Sequence, residues 1–303
     1  MAPRPFRFAL QAVAKDRSSW LDLARQAEDA GFATLQTADH LGSPDPFLPL
    51  VAAASVTTTL RFGPLVINNE LHNPVLLARA AATVDLMTDG RLELGLGTGY
   101  AADEHRQANI PIAPPGERVD RFAASITVLA SLLGGEGAVS ELYGIDAKPL
   151  GLPVLQQPHV PLLVGGHGHR VLDLAARHAQ IVQFTGLTHG VDGAVMPGGF
   201  ALDTIRERVA WVRTSAGDRL DDIELSALVQ VTTCADADSA RAEAATNLGV
   251  TTELVDESPF LLIGSLGQII DKLERQRAEL GISYLTLRNI TASAPIVVAL
   301  AGR

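Results

Sequence analysis

Residues 60–100, LRFGPLVINNELHNPVLLARAAATVDLMTDGRLELGLGTGY, contain one complete strand–helix–strand unit and decide how the chain is read. Residues 60–68 are a short apolar run, interrupted at Gly63-Pro64, and read as a strand. Asn73-Pro74 then opens a helix, with the asparagine as N-cap and the proline at the first helical position, where its missing N–H costs nothing. Helical spacing continues to about Met87, the Asp89-Gly90 turn closes it, and residues 91–96 form a second strand that ends in Gly97-Thr98-Gly99-Tyr100. Two strands joined through a helix of this length lie parallel.

The unit repeats on both sides. Further strand-like runs fall at residues 6–13, 33–39, 160–164, 181–185, 223–231 and 283–288, bringing the count to eight. Between them lie helical stretches: one capped by Ser18 or Ser19 and stopped by Gly31, then 46–56, 117–133, a stretch to about His178, another to about Ser215, 237–248, and 266–280 closed by Gly281. Eight such units in 303 residues specify an α/β fold of the (β/α)8 TIM-barrel type. A doubly wound sheet would have fewer strands and a phosphate fingerprint after strand one. Gly95-x-Gly97-x-Gly99 follows strand four instead, and Tyr100 stands where that fingerprint needs its last glycine. The chain reads as one domain over 1–303, with insertions at about 134–157, 186–200 and 251–264 that lack periodicity.

Composition narrows the function classes. Hydrophobic residues make up 47% and charged residues 19%, enough apolar material for a large core. A net charge of −10 without any Lys/Arg cluster excludes a phosphate-backbone partner, so no nucleic acid is expected. Cys234 is the only cysteine, which leaves neither a disulfide framework nor a thiolate metal site. No run approaches the ~18 apolar residues of a membrane helix, and Met1 is not followed by a leader pattern. The expectation is a cytoplasmic homodimer acting on a small molecule.

In a TIM barrel the chemistry sits at the C-terminal strand ends. That filter selects Gln11, Asp39, His40, Asn68, Asn69, Thr98 to Tyr100, Gly165 to Gly168, Phe184, Thr185, Gln230, Arg288 and Asn289. His40 beside Asp39 reads as a general base oriented by a carboxylate. An aspartate capping the next turn, with a histidine filling space, accounts for the same pair equally well. Gly165-Gly166-His167-Gly168 presents backbone amides at a helix start, either as an anion cradle or as a plain tight turn. Gly97-Thr98-Gly99 is either a bare platform for a flat ring, with the Thr98 hydroxyl as donor, or a turn. His167, His169 and His178 have no carboxylate or thiolate to complete a ligand set, so no metal is expected. Asp103-Glu104-His105 reads as a helix head whose acids suit the dipole, with Glu104 a minor candidate.

Ala38-Asp39-His40-Leu41, Leu60-Arg61-Phe62-Gly63, His72-Asn73-Pro74, the run from Asp89 to Tyr100, Pro115-Gly116-Glu117-Arg118 and Pro161-Leu162-Leu163-Val164-Gly165-Gly166 follow one another in an order that resembles the luciferase-like superfamily. The resemblance covers nearly the whole chain and is closest to the F420-dependent oxidoreductases of actinobacteria. It implies an insertion-bearing barrel that transfers hydride between coenzyme F420 and a small organic substrate. Asp39, Asn68, Gly97, Thr98 and Gly99 are then cofactor contacts and His40 with Asp39 the catalytic pair. A non-prolyl cis peptide lies at about Leu65-Val66 beneath the ring, and Gly165, Gly166, His167 and Gly168 hold the phosphate tail. Tyr100, Phe184 and Arg288 fall on the substrate side. Two alternatives share the barrel: a monooxygenase using reduced FMN under a lid built from 134–157 and 186–200, and a flavin-binding barrel without catalysis. In the sugar-phosphate dehydrogenase branch an acid follows the strand-four glycines and an aromatic follows the histidine. Tyr100 and Pro44 stand here instead, which argues against sugar-phosphate oxidation.

Overall fold

The computed structural model describes residues 3–189 and 195–303. Its central sheet is a closed ring of parallel strands: β1 (Arg7–Gln11), β2 (Thr34–Thr37), β3 (Arg61–Pro64, resuming as Ile67–Asn68), β4 (Leu94–Gly97), β5 (Leu162–Gly165), β6 (Ile181–Thr185), β7 (Glu224–Leu228) and β8 (Ile282–Leu287). The first piece of β3 pairs with β2 and the second with β4, while β8 pairs with β1. The nine hydrogen-bonded segments are therefore an eight-strand barrel in which one strand is broken. The break follows from local chemistry. Pro64 has no N–H to give the ladder, and the Leu65–Val66 peptide is cis. β4 accommodates the resulting bulge: a Cβ on Gly95 would lie 2.0 Å from the Pro64 carbonyl oxygen.

Side chains alternate across each strand, as the two-residue period requires. Phe8, Leu10, Leu35, Phe62, Leu94, Leu96, Val164, Val182, Phe184, Leu285 and Leu287 point outward into the main apolar core beneath the helices. Ala9, Leu65, Leu163, Ile181 and Tyr284, from five different segments, pack as a separate cluster that only the barrel interior can bring together. The interior is also polar. Ser226 Oγ donates to Gln183 Oε1 at 2.6 Å, and Thr286 Oγ1 donates to Gln36 Oε1 at 3.0 Å. A set of charged groups closes the N-terminal end: Glu93 accepts from Arg7 (2.7 Å), Arg61 (2.8 Å) and the Tyr284 hydroxyl (3.1 Å). Burial alone would raise the Glu93 carboxyl, but Arg7 and Arg61 outweigh it and hold it below the usual carboxylate range.

The helices follow the expected caps with one change. Asn73 accepts from Val75 and Leu76 at the start of Pro74–Met87. The first helix, Arg17–Asp29, is capped by Asp16 accepting from Ser19, not by a serine, because a carboxylate two positions before Ser18 is the stronger acceptor for the free amides. The 134–157 insertion contains an antiparallel hairpin, Ala138–Ser140 with Ile145–Ala147. Of the 186–200 insertion, residues 190–194 lie outside the described residues; Thr188–His189 pairs antiparallel with Val195–Met196. The 251–264 segment is not a loop. It holds the helix Thr252–Glu257 and the strand Leu261–Gly264, which pairs in parallel with Gln230–Thr233. The chain after β7 therefore leaves the barrel to form a second small ladder, so strand seven ends at Leu228 and not at residue 231.

Candidate functional site at the barrel mouth

β2 ends at Thr37, and the next three residues carry Asp39 and His40 onto the C-terminal rim. The two do not serve each other. Asp39 Oδ2 accepts from the Asn68 backbone N–H at 2.9 Å and lies 2.9 Å from His72 Nε2, so its carboxylate ties β2 to the resumption of β3. His40 Nδ1 instead lies 2.7 Å from Glu104 Oε1. The expectation that Asp39 orients His40 is corrected: adjacent residues leaving a strand point apart. Glu104 belongs to the helix Ala102–Ala108, where it was read as a dipole residue, yet tertiary folding brings it to the histidine across 64 positions of sequence. Its second oxygen, Oε2, is buried without a hydrogen-bond partner.

His40 is 42% exposed in its side chain and Glu104 16%, so the pair forms a carboxylate–imidazole dyad with the ring on the solvent side. A carboxylate at Nδ1 selects the tautomer that leaves Nε2 available for a ligand's proton. Tyr100 sits edge-on to His40, with ring centroids 6.1 Å apart. Partial burial, reinforced by the Glu104 charge, raises the Tyr100 hydroxyl above its usual value and keeps it a neutral donor. On the far side of the mouth Arg288 Nε donates to Gln11 Oε1 at 2.9 Å, and Gln11 Nε2 donates to the Leu65 carbonyl at 2.8 Å. The bulge between the two pieces of β3 is thus gripped from β1 and reached indirectly from β8.

The glycines after strand four leave room for the β3 bulge. Gly97 is buried, and a Cβ there would come within 2.7 Å of Val66; one on Gly99 would come within 2.0 Å of the Asn68 side chain. In this structure both accommodate the bulge and its neighbour, and Thr98 and Tyr100 are what the rim presents. Asn68 is buried and central: its side chain accepts from Glu70 N–H at 3.1 Å and lies 3.3 Å from His105 Nε2. Val66 is half-buried and Leu65 nearly buried at the floor of the mouth. Arg118 donates to the Gly99 carbonyl at 2.7 Å and fixes the rim of strand four.

Gly165, Gly166 and His167 are half-buried and Gly168 is exposed. Gly168 is the N-cap of the helix His169–His178 and brings no side-chain acceptor, unlike Asp16, Asn73, Asp236, Thr251, Ser265 and Asn289 at other helix starts. Val171 N–H and Leu172 N–H donate to the Gly168 carbonyl at 3.0 Å, and the His169 and Arg170 amides ahead of them receive no side-chain cap, the arrangement in which a helix start accepts an anion. Phe184 is not a substrate contact. It is fully buried in the layer between barrel and helices, because on β6 it alternates with Gln183, which faces the interior. Leu228 and Thr185, near Arg288, mark the corresponding inward positions. Among the described residues no group of three or more His, Cys, Asp or Glu is placed to hold a metal, and no helix is long and apolar enough to cross a membrane.

A family model described as luciferase-like monooxygenase matches residues 5–259. An F420-dependent glucose-6-phosphate dehydrogenase of Nakamurella multipartita is 29% identical, over 97% of this chain and 86% of that protein. Among solved structures, the coenzyme F420-dependent tetrahydromethanopterin reductase of Methanopyrus kandleri superposes with a TM-score of 0.75 at 18% identity, covering 97% of each chain. The oxygenating constituent of 3,6-diketocamphane monooxygenase from Pseudomonas putida, in complex with FMN, superposes with a TM-score of 0.73 at 15% identity, covering 98% of each.

Proposed function

The chain belongs to the luciferase-like monooxygenase family, and from that premise we propose that it is an F420-dependent oxidoreductase that moves a hydride between the deazaflavin and a small organic substrate. The observation that carries the reading is the His40–Glu104 dyad at the C-terminal rim. A hydride transfer to or from a carbonyl or alcohol carbon needs one proton moved at the attached oxygen, and an imidazole held by a carboxylate at Nδ1 takes or gives that proton at Nε2. Tyr100, kept protonated by its surroundings, donates a hydrogen bond to the same oxygen.

The residues present fit the cofactor on two counts. The helix start after Gly168, which has no side-chain cap, suits a phosphate. The floor made by Leu65 and Val66, with Asn68 and Thr98 at its edge, suits the apolar face of a ring with a polar margin. When bound, the deazaflavin supplies the hydride acceptor or donor. The protein's own part is to seat it on the bulge, to hold Asp39 as the strut between β2 and β3, and to place His40 at the substrate's oxygen. The F420-dependent relative and the F420-dependent fold neighbour support this choice of cofactor.

Titration of the apo protein against F420 and against FMN, read by quenching of ligand fluorescence, tests it. Saturable F420 binding with FMN excluded is expected. Tight FMN binding accompanied by oxygen consumption with the reduced flavin would overturn the assignment in favour of a monooxygenase.

A further inference from the structure

Away from the mouth, a cavity of about 270 Å³ lies between the helices Ala237–Leu248, Thr252–Glu257 and Leu266–Leu280, lined by Arg241, Asp256, Gln268, Asp271, Lys272 and Arg275 among others. The chain carries a net charge of −10, and its only lysines are Lys15, Lys148 and Lys272. Three cations nevertheless converge on this one space.

Two of them are built into the walls. Lys272 Nζ donates to the carbonyls of Asp256 (2.5 Å) and Leu261 (2.9 Å). Arg241 pairs through Nε with Asp256 (3.0 Å) and through Nη1 with Asp238 (3.1 Å), and Nη2 donates to the Ile263 carbonyl at 3.4 Å. An ammonium has three N–H groups, so one on Lys272 is uncommitted. Arg275, one turn along the same helix face, is exposed; among the described residues it pairs with no acid and donates to no acceptor. Arg241 is shared between Asp256 and Asp238, and Asp271 also lines the space, so the groups with capacity left for an anion are Arg275 and the third N–H of Lys272.

We propose that this cavity is an oxyanion-binding site, separate from the barrel mouth, that takes inorganic phosphate or the phosphate group of a small molecule. An anion entering the space meets the spare Lys272 N–H and the unpaired Arg275 guanidinium from one helix face. Burial first, then Arg241 and Arg275, bring Lys272 down to about 8 against the pull of Asp256. The volume falls just below the ~300 Å³ at which drug-sized pockets begin, which suits a phosphate carrying little else. A doubly charged anion gains more from three cations than a monocarboxylate does.

If Lys272 and Arg241 were only struts between helix and strand, Arg275 and Asp271 would be bystanders. Calorimetric titration of the full chain with inorganic phosphate, with acetate as the singly charged control, separates the two cases. Saturable phosphate binding is expected in the millimolar range or tighter. Arg275→Gln should weaken it about tenfold, the worth of one charged hydrogen bond. Asp271→Asn should tighten it several-fold. Sulfate, whose charge is constant near neutrality, should bind more weakly as pH rises through about 8, because Lys272, faced by Asp256, Asp271, Arg241 and Arg275 and with Asp238 behind Arg241, then loses its proton. Absence of saturable binding, indifference to both substitutions, or acetate binding as well as phosphate overturns the proposal.

Discussion

At the N-terminal end of the barrel one carboxylate, Glu93, accepts from two guanidiniums and a phenol, and Arg7 also pairs with Glu224 at 3.1 Å. At the C-terminal end the acids are spread out: Asp39 serves His72 and one backbone amide, and Glu104 serves His40 while its other oxygen has no partner. The same residue types thus make a network shared around one carboxylate at one mouth, where Arg7 Nε alone of these atoms lacks a partner, and a dispersed set at the other. A shared network is locked, because removing any member strands a buried charge. A dispersed set has hydrogen-bonding capacity left for a ligand, at some cost in stability. This division matches the rule that the bottom of a TIM barrel carries stability and the top carries chemistry.

The contrast can be broken by substitution at either end. The largest effect is expected at the top: His40→Ala should lower turnover about 100- to 10,000-fold while moving the unfolding free energy by less than about 0.5 kcal/mol, the range of exposed sites. Steady-state kinetics and urea unfolding of the same preparation check both halves, and a large stability loss would make His40 structural. Glu93→Ala should do the reverse, costing about 3–5 kcal/mol by leaving Arg61 without its acid and Arg7 with Glu224 alone; the urea midpoint reads it. Glu104→Gln keeps the shape but loses the charge beside His40, and turnover should fall about tenfold, the scale found for outer partners that orient a histidine. A mutant as active as the parent would dissolve the dyad.

The smallest effect is a pH dependence at the bottom. Glu28 accepts from the backbone N–H groups of Thr58, Thr59 and Leu60 in the turn before β3. Burial works against its charge, but these amides prevail and hold it at about 2. A folded-state value below the unfolded ~4.3 contributes stability that is full above about pH 4.3 and lost as pH falls toward 2. Glu28→Ala should therefore flatten the decline of the urea midpoint over that window and leave the behaviour near pH 7 otherwise parallel. Unchanged slopes would show that the amides do not depend on the carboxylate.

Much of the barrel was legible because periodicity and caps are local. The Asn73-Pro74 start, the Asp89-Gly90 turn and the Gly281 stop all stand where the residues put them, with Asp89, Gly90 and Gly281 at positive φ. The interruption at Gly63-Pro64 announced the break in β3 without revealing that the strand resumes on the other neighbour. The small ladder between Gln230–Thr233 and Leu261–Gly264 was hidden, since a four-residue apolar strand looks like any short apolar run. At the mouth, position put Asp39, His40, Thr98 and Tyr100 on the rim but also picked Phe184 and Gln230, which lie off it, and chain adjacency then suggested the wrong partner for His40. Asp39 and His40 are neighbours in sequence but diverge in space, and Glu104 had no local signal beyond its place in a helix head. Phe184 failed for a related reason: in Ile181–Thr185 it alternates with Gln183 and Thr185, and the local pattern does not disclose that the polar face is the one that looks into the barrel.

The sequence by itself determined that the chain is a TIM barrel of eight βα units and which loops form its upper rim, because strand and helix periods, caps and turns are properties of a few consecutive residues. Only the tertiary structure decided who partners whom there. The His40–Glu104 dyad, the Asp39–His72 strut, the filling of the Gly97 and Gly99 spaces by Val66 and Asn68, and the meeting of Arg241 with Lys272 and Arg275 all join residues far apart in the chain. Their distances are set by the closure of the ring and the packing of helices on it, and no local pattern encodes them.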